Sequence, residues 1–220
     1  MTSSSQVIRQ CRNAECSFRF PAPFSGSSGR FCPLCGWETD IVPSSQHIDA
    51  FVPRETRLDT GGPFVEALLD NIRSTYNVGS MFRAADGAGL LELHLCGITP
   101  TPENPKVVKT SLGAETSVKW KYYRNSVTAT RELKNLGYWI FALEASSRSQ
   151  SIFKLDSSFT QKPILLVVGN EICGVDPDVL ALSDKVLWIP MHGQKESLNV
   201  SLAFGIAAYT LRYAYKDQST

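Results

Sequence analysis

Residues 163–169 read PILLVVG, five consecutive aliphatic side chains between a proline and a glycine. A strand with no polar alternation is buried on both faces, and sheets covered on both faces are built from parallel strands joined by helical crossovers. The surrounding sequence supplies both parts. FVEALLD (64–70), LLELHLCGI (90–98), SVKWKYY (117–123), YWIFALE (138–144) and KVLWIP (185–190) read as further strands. Between them, NVGSMFRAADGAG (77–89) reads as a turn and a helix ended by glycine, and VVKTSL (107–112) as a short helix. TATRELKNLG (128–137) is amphipathic with a glycine stop, and LNVSLAFGIAAYTLRYA (198–214) is a long, mostly apolar helix. Alternating strands and helices predict an α/β fold around a mostly parallel sheet over residues 63–220. Hydrophobic residues make up 43% of the 220, enough to fill its core.

The amino end follows different rules. Cys11, Cys16, Cys32 and Cys35 fall in the first 36 residues, spaced Cys-x4-Cys and Cys-x2-Cys. Tetrahedral zinc takes four such ligands, and a Cys-x-x-Cys pair offers two from one turn, with Gly36 free to relieve the backbone after the second. The pattern resembles a zinc ribbon. A segment this short buries too little surface to fold unaided, so structural Zn²⁺ supplies the missing stability. Four buried or free thiols are the alternative reading. The predicted organisation is a zinc-ribbon-like module at 1–40, a linker at 41–62 rich in proline, serine and glycine, and an α/β domain at 63–220.

Charge excludes some partners and leaves others local. The net charge is +1, so no global field directs the chain to nucleic acid or membrane. No run approaches the roughly 18 apolar residues of a membrane span, and the first ten residues lack the apolar region of a secretory signal. The expectation is a soluble, cytoplasmic protein with no membrane partner, whose thiols stay reduced. Arg9, Arg12, Arg19 and Arg30 against Glu15 give residues 1–36 a formal +3, from which four thiolates and one Zn²⁺ subtract two. A second basic stretch, Lys106, Lys109, Lys119, Lys121, Arg124, Arg131 and Lys134, faces only Glu115 and Glu132. Trp120, Tyr122 and Tyr123 interleave with it. They either stack on nucleic-acid bases or form the inward half of an alternating strand.

Three segments carry chemistry. NVGSMFRAADGAG holds Asn77, Gly79 and Arg83 as N-x-G-x-x-x-R; VVGNEICGVD (167–176) holds Gly169, Glu171 and Gly174 as G-x-E-x-x-G; IPMHGQKESLNVSLAFGIAAY (189–209) holds Ile-Pro-Met and Ser-Leu-Asn-Val-Ser. Each sits at the end of an expected strand, where open α/β sheets gather ligands. In this order they resemble the three motifs of SpoU-type (TrmH-like) RNA 2′-O-ribose methyltransferases of the SPOUT superfamily. The resemblance covers roughly residues 63–215, about 70% of the chain. It implies a carboxyl-terminal trefoil knot, which no periodicity reveals and which chains generally avoid. It also implies S-adenosylmethionine bound in the knot around Leu143, Gly169, Ile189, Ser197, Leu198 and Asn199, a homodimer with the active site near the subunit interface, and tRNA or rRNA as substrate. Arg83 takes the place of the family's proposed base, with Asn77, Glu171, Ser197 and Asn199 completing the catalytic set.

Elementary chemistry agrees in part. A ribose hydroxyl is a poor nucleophile and a sulfonium an excellent donor, so catalysis needs alignment and removal of one proton. Arginine stays protonated, so as a base Arg83 needs a nearby phosphate to take part in the proton transfer; the alternative is that it mainly orients the nucleotide. Of the histidines, His94 is expected to pack within its strand, His192 lies inside the third motif and His47 in the linker. Cys96 and Cys173 are expected to pack as small hydrophobes. The rival reading is a non-catalytic RNA-binding protein that retains the fold. A zinc hydrolase is disfavoured, because four cysteines close the metal site.

Overall fold

The computed structural model describes residues 6–24, 27–42, 63–155 and 162–213. They fall in two compact units, Met1–Thr56 and Arg57–Thr220. Apart from Ile41 and Val42, the expected linker lies outside the described residues, as does His47. Among the described residues no helix is long and apolar enough to cross a membrane.

The first unit is a small antiparallel sheet of β1 (Gln6–Cys11), β2 (Arg19–Pro23) and β3 (Thr39–Ile41), in the order β2-β1-β3. Among the described residues its buried apolar side chains are Val7, Cys11, Ala22 and Cys32. So small a core cannot offset the conformational entropy of ordering its chain, and two of its four members are cysteines.

The second unit holds seven parallel strands: β4 (Val65–Asp70), β5 (Glu92–Cys96), β6 (Lys119–Tyr123), β7 (Trp139–Leu143), β8 (Gln150–Ser151), β9 (Ile164–Val168) and β10 (Lys185–Trp188). Their spatial order is β6-β5-β4-β9-β7-β10-β8. The chain steps outward from β4 to β6, crosses to β7 and β8, then returns to lay β9 between β4 and β7. β9 is the ILLVV run, and it and β4 are buried along their whole lengths at the middle of the sheet.

Both faces are covered, and the strands alternate between two cores. Val65, Ala67 and Leu69 of β4 with Ile164, Leu166 and Val168 of β9 pack against helices α1 (Thr75–Ala88) and α6 (Val200–Tyr213) and against Val107 of α2 (Pro105–Ser111). Leu68, Leu165 and Val167 point the other way, onto Ala129 and Leu133 of α4 (Ser126–Asn135) and Val179 of α5 (Pro177–Leu182). A four-residue helix, α3 (Ala114–Ser117), precedes β6.

The helix boundaries follow their caps. Ser74 caps α1, and Gly89 ends it in the left-handed conformation at φ 72°. Asn77, expected in a turn, therefore lies inside the first turn of α1. Asn104 caps α2 with Pro105 in its first turn, so that helix starts two residues before the expected VVKTSL. Asn199 Oδ1 accepts the Ser201 N–H at 2.9 Å and caps α6, leaving Leu198 and Asn199 as lead-in.

Candidate functional site

With every strand parallel, the carboxyl ends lie along one edge of the sheet. The ends of the adjacent strands β9, β7 and β10 surround a cavity of about 390 Å³. Leu143, Gly169, Ile189, Ser197, Leu198 and Asn199 all line it. Its size suits a small organic ligand.

The G-x-E-x-x-G segment forms one wall, as a loop closed on itself. The Asn170 N–H bonds the Gly174 carbonyl and the Gly174 N–H bonds the Asn170 carbonyl, both at 2.9 Å. A side chain on Gly169 would collide with the backbone of Gly174 and Val175, which explains the first glycine. Gly174 has φ 74°, and a side chain there would meet the Glu144 carboxylate.

Neighbouring polar groups anchor this loop. The Asn170 amide donates to the Asn71 carbonyl at 2.7 Å, and its Oδ1 accepts the N–H groups of Ile172 and Cys173 at 2.9 and 3.1 Å. Asp70 accepts the Asp176 N–H at 2.9 Å, and Glu144 accepts the Val175 N–H at 3.0 Å. Sequence reasoning did not single out Asp70, Asn71, Glu144 or Asn170. The one local oddity among them is Asn71 at φ 56°, and φ cannot be read from residue type.

Glu171 links the loop to the first motif. Its carboxylate accepts the Arg73 N–H at 3.0 Å, the Ser74 N–H at 3.2 Å and the Asn77 amide at 2.9 Å, at the start of α1. Partial burial opposes its ionisation, but the bonds from Arg73, Asn77 and Ser74 outweigh it and hold the carboxyl below its ordinary value. Asn77 Oδ1 in turn accepts from Asn199 Nδ2 at 3.1 Å. A single line of hydrogen bonds, Glu171–Asn77–Asn199, thus joins residues of all three motifs.

Other sequence candidates fall elsewhere. Arg83 is exposed on α1 and does not line the cavity, and it has no hydrogen bond or ion pair among the described residues. Six residues of helix separate it from Asn77, a rise of about 9 Å. Gly79 is a packing glycine, since a side chain there would strike Thr110 and the Ser111 backbone of α2. Ser197 lines the cavity without capping α6. His192 is exposed and outside the cavity lining. His94 is buried, its Nε2 2.8 Å from Glu66, whose other oxygen accepts the Tyr138 hydroxyl at 2.9 Å. Cys96 is buried, and desolvation pushes its thiol up to about 12. Cys173 is exposed, contrary to expectation, because the closed loop turns it outward.

The basic stretch is mostly outward-facing. Lys134 is bound to Asp184 at 2.8 Å, whereas Lys106, Lys109, Lys119, Lys121, Arg124 and Arg131 are exposed. Two of the three aromatics favour the inward reading, while Tyr122 is exposed. Trp120 and Tyr123 pack against the two cores, and the Tyr122 hydroxyl donates to the Gly97 carbonyl at 2.9 Å.

In the first unit the four expected ligands converge. The Sγ atoms of Cys11, Cys16, Cys32 and Cys35 all lie within 4.8 Å of one another, with Cys11–Cys35 at 3.4 Å and Cys16–Cys32 at 3.8 Å. These separations exceed a disulfide bond and bracket the roughly 3.8 Å edge of a tetrahedral zinc–thiolate centre. The Leu34 N–H points at Cys32 Sγ at 3.4 Å, and Gly36 completes the turn at φ 77°. Burial opposes the Cys32 thiolate, but the N–H groups of Cys35 and Leu34 bring it down to about 7; burial drives Cys11 up to about 12.

Comparison with known proteins resolves the resemblance. The model of the SpoU rRNA methylase family matches residues 65–209, well over half of the chain. The chain belongs to the SpoU rRNA methylase family. A tRNA (guanosine(18)-2′-O)-methyltransferase of Aquifex aeolicus is 35% identical over 144 residues, 64% of this chain and 64% of that protein. The 23S rRNA (guanosine(2553)-2′-O)-methyltransferase RlmP of Bacillus subtilis is 35% identical over 147 residues, 66% of this chain and 56% of that protein. The matched region therefore spans less than two thirds of either relative. The SpoU methyltransferase AviRb of Streptomyces viridochromogenes, solved with the cofactor AdoMet, superposes with a TM-score of 0.60 at 27% identity, covering 69% of this chain and 60% of that one.

Proposed function

We propose that this SpoU-family chain transfers a methyl group from S-adenosylmethionine to a ribose 2′-hydroxyl of tRNA or rRNA in the cytoplasm. The hydrogen-bonded line Glu171–Asn77–Asn199 carries this reading. It ties all three motifs to the edge of a cavity lined by all six residues expected at the cofactor. The names of the Aquifex and Bacillus relatives point to tRNA and rRNA respectively, and both stay open here.

The cavity fits the cofactor by its chemistry. Gly169 lines the cavity with backbone alone, and apolar walls at Leu143, Ile189 and Leu198 suit an adenosine. Bound S-adenosylmethionine supplies an electrophilic methyl group on a sulfonium. Glu171 braces the loop against α1, and Asn199 holds the entrance to α6 beside Ser197. Arg83 keeps its charge at physiological pH, so its role is to grip a phosphate and align the ribose hydroxyl. Because it lies off its own chain's cavity, the reading includes a homodimer that brings Arg83 to a partner's site.

The same reading includes a trefoil knot in the carboxyl-terminal part, supported by the late insertion of β9 between β4 and β7. It divides the chain into a module at 1–40, a linker at 41–62 and a methyltransferase domain at 63–220. It also assigns one structural Zn²⁺ to Cys11, Cys16, Cys32 and Cys35. Metal analysis should give about one zinc per chain, and Cys32→Ser should lose it. The central test is labelled-methyl transfer to total tRNA and rRNA, followed by mapping of the 2′-O-methylated nucleotide. Binding of RNA without any transfer would favour the non-catalytic alternative.

A further inference from the structure

The cavity is electrically one-sided. Three of its lining side chains are carboxylates, Glu144, Glu171 and Glu196, and among the described residues no lysine, arginine or histidine lines it. Glu171 is committed to the start of α1. Glu196 is exposed, where water and salt screen it. Glu144 differs from both. It is half-buried beyond the carboxyl end of β7, and its Oε2 is fixed by the Val175 N–H at 3.0 Å. Gly174 leaves the space in which the carboxylate rests. Its Oε1 accepts no hydrogen bond among the described residues.

A fixed carboxylate in a partly desolvated cavity, with no cation among the described lining residues, favours a positive ligand over a neutral one of the same shape. The methyl donor and its product differ in this way. On transfer the sulfur keeps the bonding pair and becomes a neutral thioether, while the ribose oxygen gains the methyl group and its proton passes to solvent water. The product thus has one positive charge fewer than the donor. We infer that Glu144 is a specificity-determining residue, through which the cavity prefers the sulfonium of S-adenosylmethionine to the neutral sulfur of S-adenosylhomocysteine. Loss of the charge weakens the hold on the product and helps it leave. This inference rests on the methyl-transfer reading.

The test is calorimetric titration of wild type and Glu144→Gln with three ligands: S-adenosylmethionine, S-adenosylhomocysteine and sinefungin. Sinefungin carries a protonated amine where the donor carries its methyl group, so it is a second cation of the same shape. Glutamine can still accept the Val175 N–H, so the loop keeps its anchor. The expected result is a roughly tenfold loss of affinity for both cations, or about 1.4 kcal/mol, with S-adenosylhomocysteine changed less than twofold. An equal loss for all three ligands would show that Glu144 only scaffolds the loop, and no change for any would show that it is idle; either overturns the inference. Failure of the wild type to bind any of the three would instead overturn the methyl-transfer reading, and this inference with it.

Discussion

Asn77 is the residue on which the site turns, because its one amide serves two partners. Its Nδ2 donates to Glu171 and its Oδ1 accepts from Asn199, so it fixes the motif-two loop and the start of α6 from a single point on α1. Arg83, six residues further along α1, has no hydrogen bond or ion pair among the described residues. Arg83→Ala should therefore leave the melting midpoint and the affinity for S-adenosylhomocysteine almost unchanged. Methyl transfer should fall on the order of a hundredfold or more, the range of a lost positioned group. Activity near wild type would remove Arg83 from the site. Glu171 carries a pH signature as well. The N–H groups of Arg73 and Ser74 and the Asn77 amide hold its carboxyl below the ordinary 4.5, so folding favours the ionised form. The resulting stability is present above the unfolded-state value and disappears as pH falls through the lower folded value. Most of the group is solvated, so the effect is under about 1 kcal/mol. Urea unfolding of wild type and Glu171→Gln should differ near neutral pH and converge in acid, once pH has fallen through the lowered folded-state value; a gap that persists in acid would mean the charge is not what stabilises.

At the scale of elements, the sequence was most informative where one local property decides the outcome. The ILLVV run became a central strand because continuous apolar side chains have nowhere else to go, and Gly89 ended α1 because glycine tolerates φ 72°. The six-residue helix α5 was not anticipated, although Asp176 caps it and Pro177 opens it, because six residues show too little periodicity. The braces of the cavity were illegible for another reason. Asp70 meets Asp176 and Asn170 meets Asn71 across roughly a hundred residues, and no local pattern records such a pairing. The alternation of SVKWKYY gave a strand but not its surroundings, so the choice between stacking and burial for Trp120 and Tyr123 needed the two cores. The closed loop after β9 offers a sharp check. Gly169→Ala would force a methyl group into the backbone of Gly174 and Val175, with an expected cost of about 1–3 kcal/mol and loss of cofactor affinity. Gly193→Ala, with open space around it, should stay within about 0.5 kcal/mol of wild type. Equal stability of the two variants would mean that the loop relaxes and that Gly169 is not required by packing.

On the scale of the whole molecule, the question is what the cysteine-bearing unit adds to a domain that has its own core. All three motifs lie beyond residue 63, so a fragment starting there should fold and bind cofactor. The formal +3 of residues 1–36 suggests phosphate contacts, but the structure reduces what is available. Glu38 and Asp40, just past that stretch, pair with Arg12 at 3.0 and 2.6 Å, and Glu38 also approaches Arg30 at 3.5 Å. Arg9 is partly buried and reaches Thr39 at 3.4 Å. Arg19 is exposed, and Arg30 keeps 67% of its side chain accessible despite Glu38, so one phosphate contact is expected from each. Each phosphate contact contributes about one to the slope of log affinity against log salt. Removing residues 1–62 should therefore weaken RNA binding and flatten that slope by about one to two, while the affinity for S-adenosylhomocysteine stays the same. The full chain and the fragment would be titrated with one RNA across a salt series, with cofactor binding measured in parallel. A larger change in slope would mean that the paired arginines open to meet RNA. Identical RNA affinity and slope would assign the module to protein contacts or to structure alone, and would leave RNA recognition to exposed cations of the second unit such as Lys106, Lys119 and Arg124.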